Sequence, residues 1–473
     1  MSKKNELPAL VAALLITVGV LGAGGWWLVN YLSGDSGSGV VPSLGGSNGG
    51  GRSGASSGNY PGESVLPESV SASKQAGLEA LAANDYEAAE TAFTEALAES
   101  KNDPESRIYL NNAQIADAAA YTIAVAVPAN KDFLGPALEI LRGVAQAQTA
   151  INDAGGINGV PLKVVLAGDR GTAENSFETA SSLVANQEVL GVVGHYSSDM
   201  TLAAADAYEA GKLAMISPTS TAERISEAGD YVFRTVPSDR LAAAALARYV
   251  LNDLDKTKAA VFYTADSAYS RSVRSEFTTE LLSNGGEVVA DFNVSEAGYS
   301  AGQALQSAKA AGAEVVMLAL TEETDNASLQ VLAVNGTELP TVGGDSLYDF
   351  NILDVGREDA VGLTVSVPWH ILSHQQSPFV QDSRELWGAA VNWRTVTAYD
   401  AVVTLAEAIA QGGPTRQGVA DALSEPGFRV DGATSLVKFF PSGDRNQPSQ
   451  LVTVTKQDGK GLSGTGYDYE PVK

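Results

Sequence analysis

The chain has 473 residues, with 30 Lys and Arg against 56 Asp and Glu, a formal net charge of −26. So acidic a surface repels a phosphate backbone and excludes nucleic acid as a partner. The absence of cysteine excludes disulfides, thiolate chemistry and cysteine zinc sites, while 44% hydrophobic residues can fill the cores of two or three domains.

No charged residue occurs from Leu7 to Gly34. As a helix this run would extend about 42 Å, more than the ~30 Å hydrocarbon core of a bilayer requires. Lys3 and Lys4 precede it, and Trp26 and Trp27 stand near its far end. Basic flanks stay cytoplasmic and tryptophan favours the interface, so the pattern predicts a cytoplasmic tail at 1–6 and a single transmembrane anchor at 7–32, with the remainder outside. A cleaved signal peptide is the competing reading, but no clear A-x-A site follows the run, and without cysteine there is no lipoprotein anchor. Residues 33–64 are mostly Gly and Ser and read as a flexible tether.

Residues 66–117 carry helical spacing. Gly77, Tyr86, Ala89, Phe93, Ala96 and Pro104 fall at offsets that resemble a tetratricopeptide repeat. A single repeat cannot bury its own core, so this segment should lean on something else. It reads as a spacer, with a partner-docking module as the sharper alternative.

From Tyr121 the pattern changes. YTIAVAV, KVVLAG, VLGVVG, LAMIS, YVFR, KAAVFY, EVVADFN, EVVMLAL and PTVGG alternate with helical stretches of 12 to 20 residues. Near-continuous apolar strands between helices predict parallel sheets covered on both faces. The strand–turn–helix unit recurs about eight times before Val361, too many for one standard sheet. One closed barrel or two doubly wound sheets would satisfy the count, and two crossing-like segments, RTVPSDR at 234–240 and VPWH at 367–370, favour two sheets. Late strands around Ser435–Phe440 and Leu451–Thr455 could complete one sheet each.

YTIAVAVP, the G-x-A-x-x-I-x-x-G of Gly135–Gly143, INDAGGINGVPLKVV, GVVGHYSSDMT, AMISPTST, YVFRTVPSD, the Tyr in ADSAYSRSV and the acid in VGGDSLYD follow in an order that resembles the leucine/isoleucine/valine-binding protein family. These are type I periplasmic solute-binding proteins of ABC transporters with the Venus flytrap fold. The resemblance covers about 119–470. It implies an α/β architecture of two doubly wound parallel-sheet lobes joined by three strands, after one transmembrane helix and a short all-α segment. By analogy, lobe one holds about 119–238 and 369–445, and lobe two about 239–368 and 446–470. It also implies a bacterial inner-membrane, single-pass protein with its binding domain on the periplasmic side, an ABC permease as partner, and a small ligand, an amino acid or similar zwitterion. No cofactor and no metal are implied.

Ligands of open α/β sheets lie past the carboxyl ends of the strands. Ser197, Ser198 and Thr201, then Ser217, Thr219, Ser220 and Thr221, follow two such ends and precede helices, whose first N–H groups are free to bind an anion. Helix capping alone would also place hydroxyls there. The resemblance places contacts to an α-carboxylate at Ser198, Thr219 and Thr221 with the Ser220 backbone beside them. It places the acid for an α-ammonium at Asp345, one methylene shorter than the glutamate usual in branched-chain members, and an aromatic closing over the ligand at Tyr269. Thr321 and Glu322 align where family members often carry aromatics, and Leu134 and Pro136 near the expected side-chain pocket.

Signatures of nucleotide-binding loops, serine hydrolases, zinc proteases and kinases are absent from the sequence. His195 stands beside two serines but shows no orienting acid, and His370 with His374 lacks a nameable third metal ligand. The sequence therefore predicts no catalytic residue. A ligand-sensing receptor that signals through a partner protein is the alternative function.

Overall fold

The computed structural model describes residues 63–472 apart from Ser69; the predicted anchor at 7–32 and nearly all of the Gly/Ser segment lie outside them. Among the described residues no helix is long and apolar enough to cross a membrane.

Three helices open the described chain: α1 (Ala72–Ala82), α2 (Tyr86–Glu99) and α3 (Pro104–Ile115). Each begins at a side-chain cap, Ser71, Asp85 and Asp103, which accepts a first-turn N–H. Phe93 stacks on Tyr109 at 5.6 Å between ring centroids, and buried Lys74 sits between Asp103 and Glu105.

The α/β body follows: β1 (Tyr121–Val127), α4 (Leu134–Asp153), β2 (Leu162–Gly168), α5 (Ala173–Ala185), β3 (Val189–Val193), α6 (Ser198–Gly211), β4 (Met215–Ser217) and β5 (Val232–Arg234). These strands form one all-parallel sheet in the order β2-β1-β3-β4-β5. The chain then enters α7 (Asp239–Arg248), β6 (Lys258–Tyr263), α8 (Ala268–Ser283), β7 (Glu287–Asn293), α9 (Ala301–Ala310), β8 (Val315–Ala319), α10 (Asp325–Asn335), β9 (Thr341–Gly343) and β10 (Thr364–Val367). It returns to the first lobe for α11 (Pro378–Trp387), α12 (Trp393–Gly412) and α13 (Arg416–Ser424). The last strands are β11 (Val430–Asp431), β12 (Leu436–Val437), β13 (Gln450–Lys456) and β14 (Tyr467–Pro471).

The second sheet runs β14-β13-β10-β9-β8-β6-β7. Its β6–β10 core is parallel, but β13 joins antiparallel to β10 and β14 antiparallel to β13. Of the two late strands, β13 joins the second sheet as expected, as half of a hairpin, while β12 differs from expectation and pairs only with β11 in a separate ribbon.

Helix α12 packs against α4, and Gly143 explains how closely. A Cβ at that position would come within 2.2 Å of Thr395 O and 2.7 Å of Tyr399 N. The second glycine of the Gly135–Gly143 motif is therefore a helix-contact residue that brings the start of α12 to the cleft.

The N-terminal helices do lean on the first lobe. Leu78, Phe93, Ile108 and Leu110 share a continuous core with Ile123, Leu141 and Val144. β2 is an edge strand with outward backbone groups that would otherwise be open to another chain. Asn112 of α3 closes them: its amide donates to Val164 O at 2.7 Å and its oxygen accepts from Val164 N at 3.2 Å. Gln148 and Asn152 do the same for Leu162. Asn112→Ala would leave both Val164 groups buried without partners and should lower the unfolding free energy by about 1–3 kcal/mol in urea titration; an unchanged midpoint would show that the helix does not seal this edge.

Candidate functional site

The two sheets present their carboxyl ends to a common cleft. From the first lobe come Tyr196 and Ser198 after β3, Thr219 after β4, and Trp393 with Arg394 at the start of α12. From the second come Ser267 and Tyr269 after β6, Glu322 after β8, and Asp345 after β9. The lobes are closed on each other, and the cavity left between them measures about 40 Å³.

Ser198, Thr219, Tyr269 and Asp345 all line that cavity. Ser198 Oγ accepts a hydrogen bond from Ala222 N at 3.2 Å, which leaves its proton free to be donated. Thr219 Oγ1 donates to Tyr196 O at 2.6 Å. Tyr269 holds Asp345: the phenol donates to Asp345 Oδ1 at 2.7 Å and accepts from Ser346 N at 3.2 Å. The glycine before Asp345 permits this, since a Cβ on Gly344 would lie 2.2 Å from the Tyr269 hydroxyl. Burial pushes the Asp345 carboxyl up, against the Tyr269 hydrogen bond and the charge of Arg394.

Ser220 and Thr221 do not line the cavity. Ser220 Oγ bonds Thr201 Oγ1 at 2.8 Å and reaches the carbonyls of His195 and Tyr196, while its N–H donates to Ser217 Oγ at 3.0 Å. Its hydroxyl and N–H are thus both engaged in fixing the loop. Thr221 Oγ1 and Asp239 Oδ2 are buried without a hydrogen-bond partner of good geometry, although the Ser272 and Thr221 hydroxyls lie near enough to Asp239 to favour its charged form. Behind the loop, fully buried Arg234 donates to Asp444 Oδ1 at 2.6 Å and to Ala222 O at 2.8 Å, tying 220–226 to the crossing segment at 444.

Several groups close the cleft directly. Asp199 of the first lobe accepts the Ala268 N–H at 3.0 Å and so caps the second lobe's α8; Glu223 N donates to Ser272 Oγ at 2.9 Å. Arg394 reaches across to Glu322 at 2.5 Å and to Tyr348 O at 3.4 Å. Burial works against the Arg394 charge, but Glu322, Tyr196, Asp349 and Asp345 outweigh it and hold the guanidinium more firmly protonated than usual. Arg394 also lines a second cavity of about 390 Å³, which Pro136 borders.

His195 is a core residue with both ring nitrogens engaged. Asp169 supplies the acid that the sequence did not reveal, at 2.6 Å from Nδ1, and Nε2 meets the Tyr208 hydroxyl at 2.9 Å, so no serine can use it as a base. His374 stacks on Trp369 and His370 lies edge-on to Tyr348.

A family model described as periplasmic binding protein matches residues 120–461. The chain belongs to the periplasmic binding protein family. A Pseudomonas aeruginosa protein named Amino acid binding protein is 30% identical over 176 residues, 37% of this chain and 47% of that protein, so the match spans about half the length of that relative. Leu/Ile/Val-binding protein homolog 3 of Brucella melitensis is 25% identical over 340 residues, 70% of this chain and 91% of its own length. The structure of an ABC transporter substrate-binding protein from Desulfitobacterium hafniense in complex with Leu matches with a TM-score of 0.62 at 25% identity, over 74% of this chain and 100% of that one. The family is one of solute-binding proteins, and its type I two-sheet fold is the one described above.

Arg394, Trp393 and Asp199 had no signal in the sequence that marked them as cleft residues. Arg394 reads there as an ordinary charge on the first turn of a helix, and only the α4–α12 contact turns it inward.

Burial pushes Asp239 up to about 7, helped by Asp345, and pushes Glu322 up to about 7 against the pull of Arg394. In the unfolded chain both return to the ordinary carboxylate range, about 4. Between that range and 7 the folded protein binds the more protons, so these groups favour folding at low pH and their contribution is lost as pH rises through 7. Unfolding free energy should accordingly fall from pH 5 to pH 7.5, and less steeply in Asp239→Asn; parallel profiles for the two proteins would rule out Asp239 as a source.

Proposed function

We propose that this chain is the extracytoplasmic solute-binding protein of an ABC importer and takes an amino acid or similar small zwitterion between its lobes. One observation carries the reading: the Ser198 hydroxyl on one lobe, with a proton to offer, shares a cavity at the carboxyl ends of both sheets with a tyrosine-held carboxylate, Asp345, on the other. A carboxylate suits the first wall, next to the N-terminus of α6, and an ammonium buried in the cleft needs the second. A guest joined to both walls binds the closed form better than the open one, which is what closure requires. The printed names of the relatives, an amino acid binding protein and a structure holding Leu, support the same class. In this reading the protein binds and delivers and does not catalyse. The run at 7–32 anchors it to the inner membrane, and the tetratricopeptide-like helices serve as a spacer that also seals the β2 edge.

A thermal-shift screen of the twenty amino acids, urea, short amides and simple acids should show stabilisation by zwitterions and by no other class. Asp345→Asn should weaken the stabilising amino acid by roughly 10- to 100-fold, the worth of a charge-assisted hydrogen bond. Stabilisation by amides alone, or unchanged affinity in Asp345→Asn, would refute the reading. Cell fractionation tests the anchor: the full chain should sediment with membranes and a chain lacking residues 1–34 should not.

A further inference from the structure

Arg394 is the only cation among the residues that line the closed cavity, and Asp199, Glu322, Glu323 and Asp345 line it with it. Its side chain is almost fully buried and lies 4.6 Å over the Trp393 ring, with one edge of the guanidinium on Glu322. Arg394 Nε and the Trp393 indole Nε1 are both buried donors without an acceptor. The free space, about 40 Å³, is room for two or three waters. The Arg394–Glu322 pair belongs to the same cavity wall as Ser198 and Asp345, so a zwitterion anchored on those two meets the pair with its side chain.

Four kinds of side chain can be weighed there. An aliphatic group would part a buried ion pair and replace neither half, which leaves Arg394 uncompensated and Glu322 to take up a proton. A carboxylate would serve Arg394 but strand Glu322 and add a fifth acid to the cavity. A cation would serve Glu322 but strand Arg394. A carboxamide serves both, because its oxygen accepts and its NH2 donates from the same planar group. The second cavity, of which Arg394 is also a wall, gives the guanidinium room to draw back as the guest enters.

We infer that the site selects an amino acid whose side chain ends in a carboxamide, inserted between Arg394 and Glu322 with its oxygen on the guanidinium and its NH2 on the carboxylate. The inference rests on the zwitterion reading above and narrows it.

Titration calorimetry on the full chain in mild detergent, with Gln, Asn, Leu, Glu and Lys as the probes, separates the two. Gln or Asn should bind roughly tenfold or more tightly than Leu, Glu or Lys. Binding of Leu, Glu or Lys as tight as that of the better amide overturns this inference alone. Binding of none of the five overturns this inference, and the zwitterion reading falls with it only if no amino acid in the thermal-shift screen stabilises the protein. The paired variant Arg394→Met with Glu322→Leu removes both charges together, so no unpaired ion is left in the cleft. It should lose at least tenfold in affinity for the amide ligand while Leu binding holds or improves. Retained amide affinity, or an equal loss for amide and Leu, would overturn the assignment. If that variant fails to fold, the ranking of the five ligands on the unaltered protein still decides.

Discussion

A charge taken out of water between two protein lobes must find a partner there or give up its charge. The cleft between the two sheets is organised by that constraint. Glu322 meets Arg394, Asp345 meets the Tyr269 phenol, and Asp199 meets the N-terminus of α8. Burial pushes Asp239 toward protonation, as it does Glu322 in spite of its arginine. Each arrangement except that of Asp239 and the intralobe pair Tyr269–Asp345 crosses from one lobe to the other. Two of these contacts, Arg394–Glu322 and Asp199–Ala268, are therefore also contacts that close the molecule.

This defines what a guest has to do. Entry into the cavity exchanges protein–protein contacts for protein–ligand contacts, so the gain is a difference between two sets of paired charges. Selectivity then follows from which ligand repairs the pairs it separates. A lobe-two wall that carries Glu322 where relatives of the resembled family often carry aromatics sets terms for the side chain that an apolar wall would not.

Support for the cleft comes from behind it. Arg234, fully buried on the last strand of the first sheet, spends its donors on Asp444 and on carbonyls of the 220–222 loop. The Ser217, Thr219 and Ser220 hydroxyls are consumed in fixing the same loops, and Ser198 is left as a hydroxyl with a proton to offer. At the opposite edge of that sheet, Asn112, Gln148 and Asn152 stand in for a missing neighbour strand. The first lobe is thus a sheet with both edges covered.

The sequence by itself determined the alternation of buried strands and helices, more strands than one standard sheet holds, and a polar rim past the ends of β3 and β4. These follow from local rules: apolar runs make buried strands, and hydroxyls or acids after them mark the carboxyl rim. It also marked Tyr269 and Asp345, through the ordered motifs of the resembled family. Tertiary structure decided which rim residues face the cavity. Ser220 and Ser198 look alike in sequence, yet one is turned into the loop and the other into the cleft, because hydroxyl direction depends on the carbonyls of His195 and Tyr196 packed from another strand. It decided the antiparallel β13–β14 hairpin, whose pairing needs partners remote in sequence. Above all it decided Arg394, which lies 72 residues from Glu322 along the chain. No local pattern couples two such charges; only the close α4–α12 packing at Gly143 and the closure of the lobes bring them together.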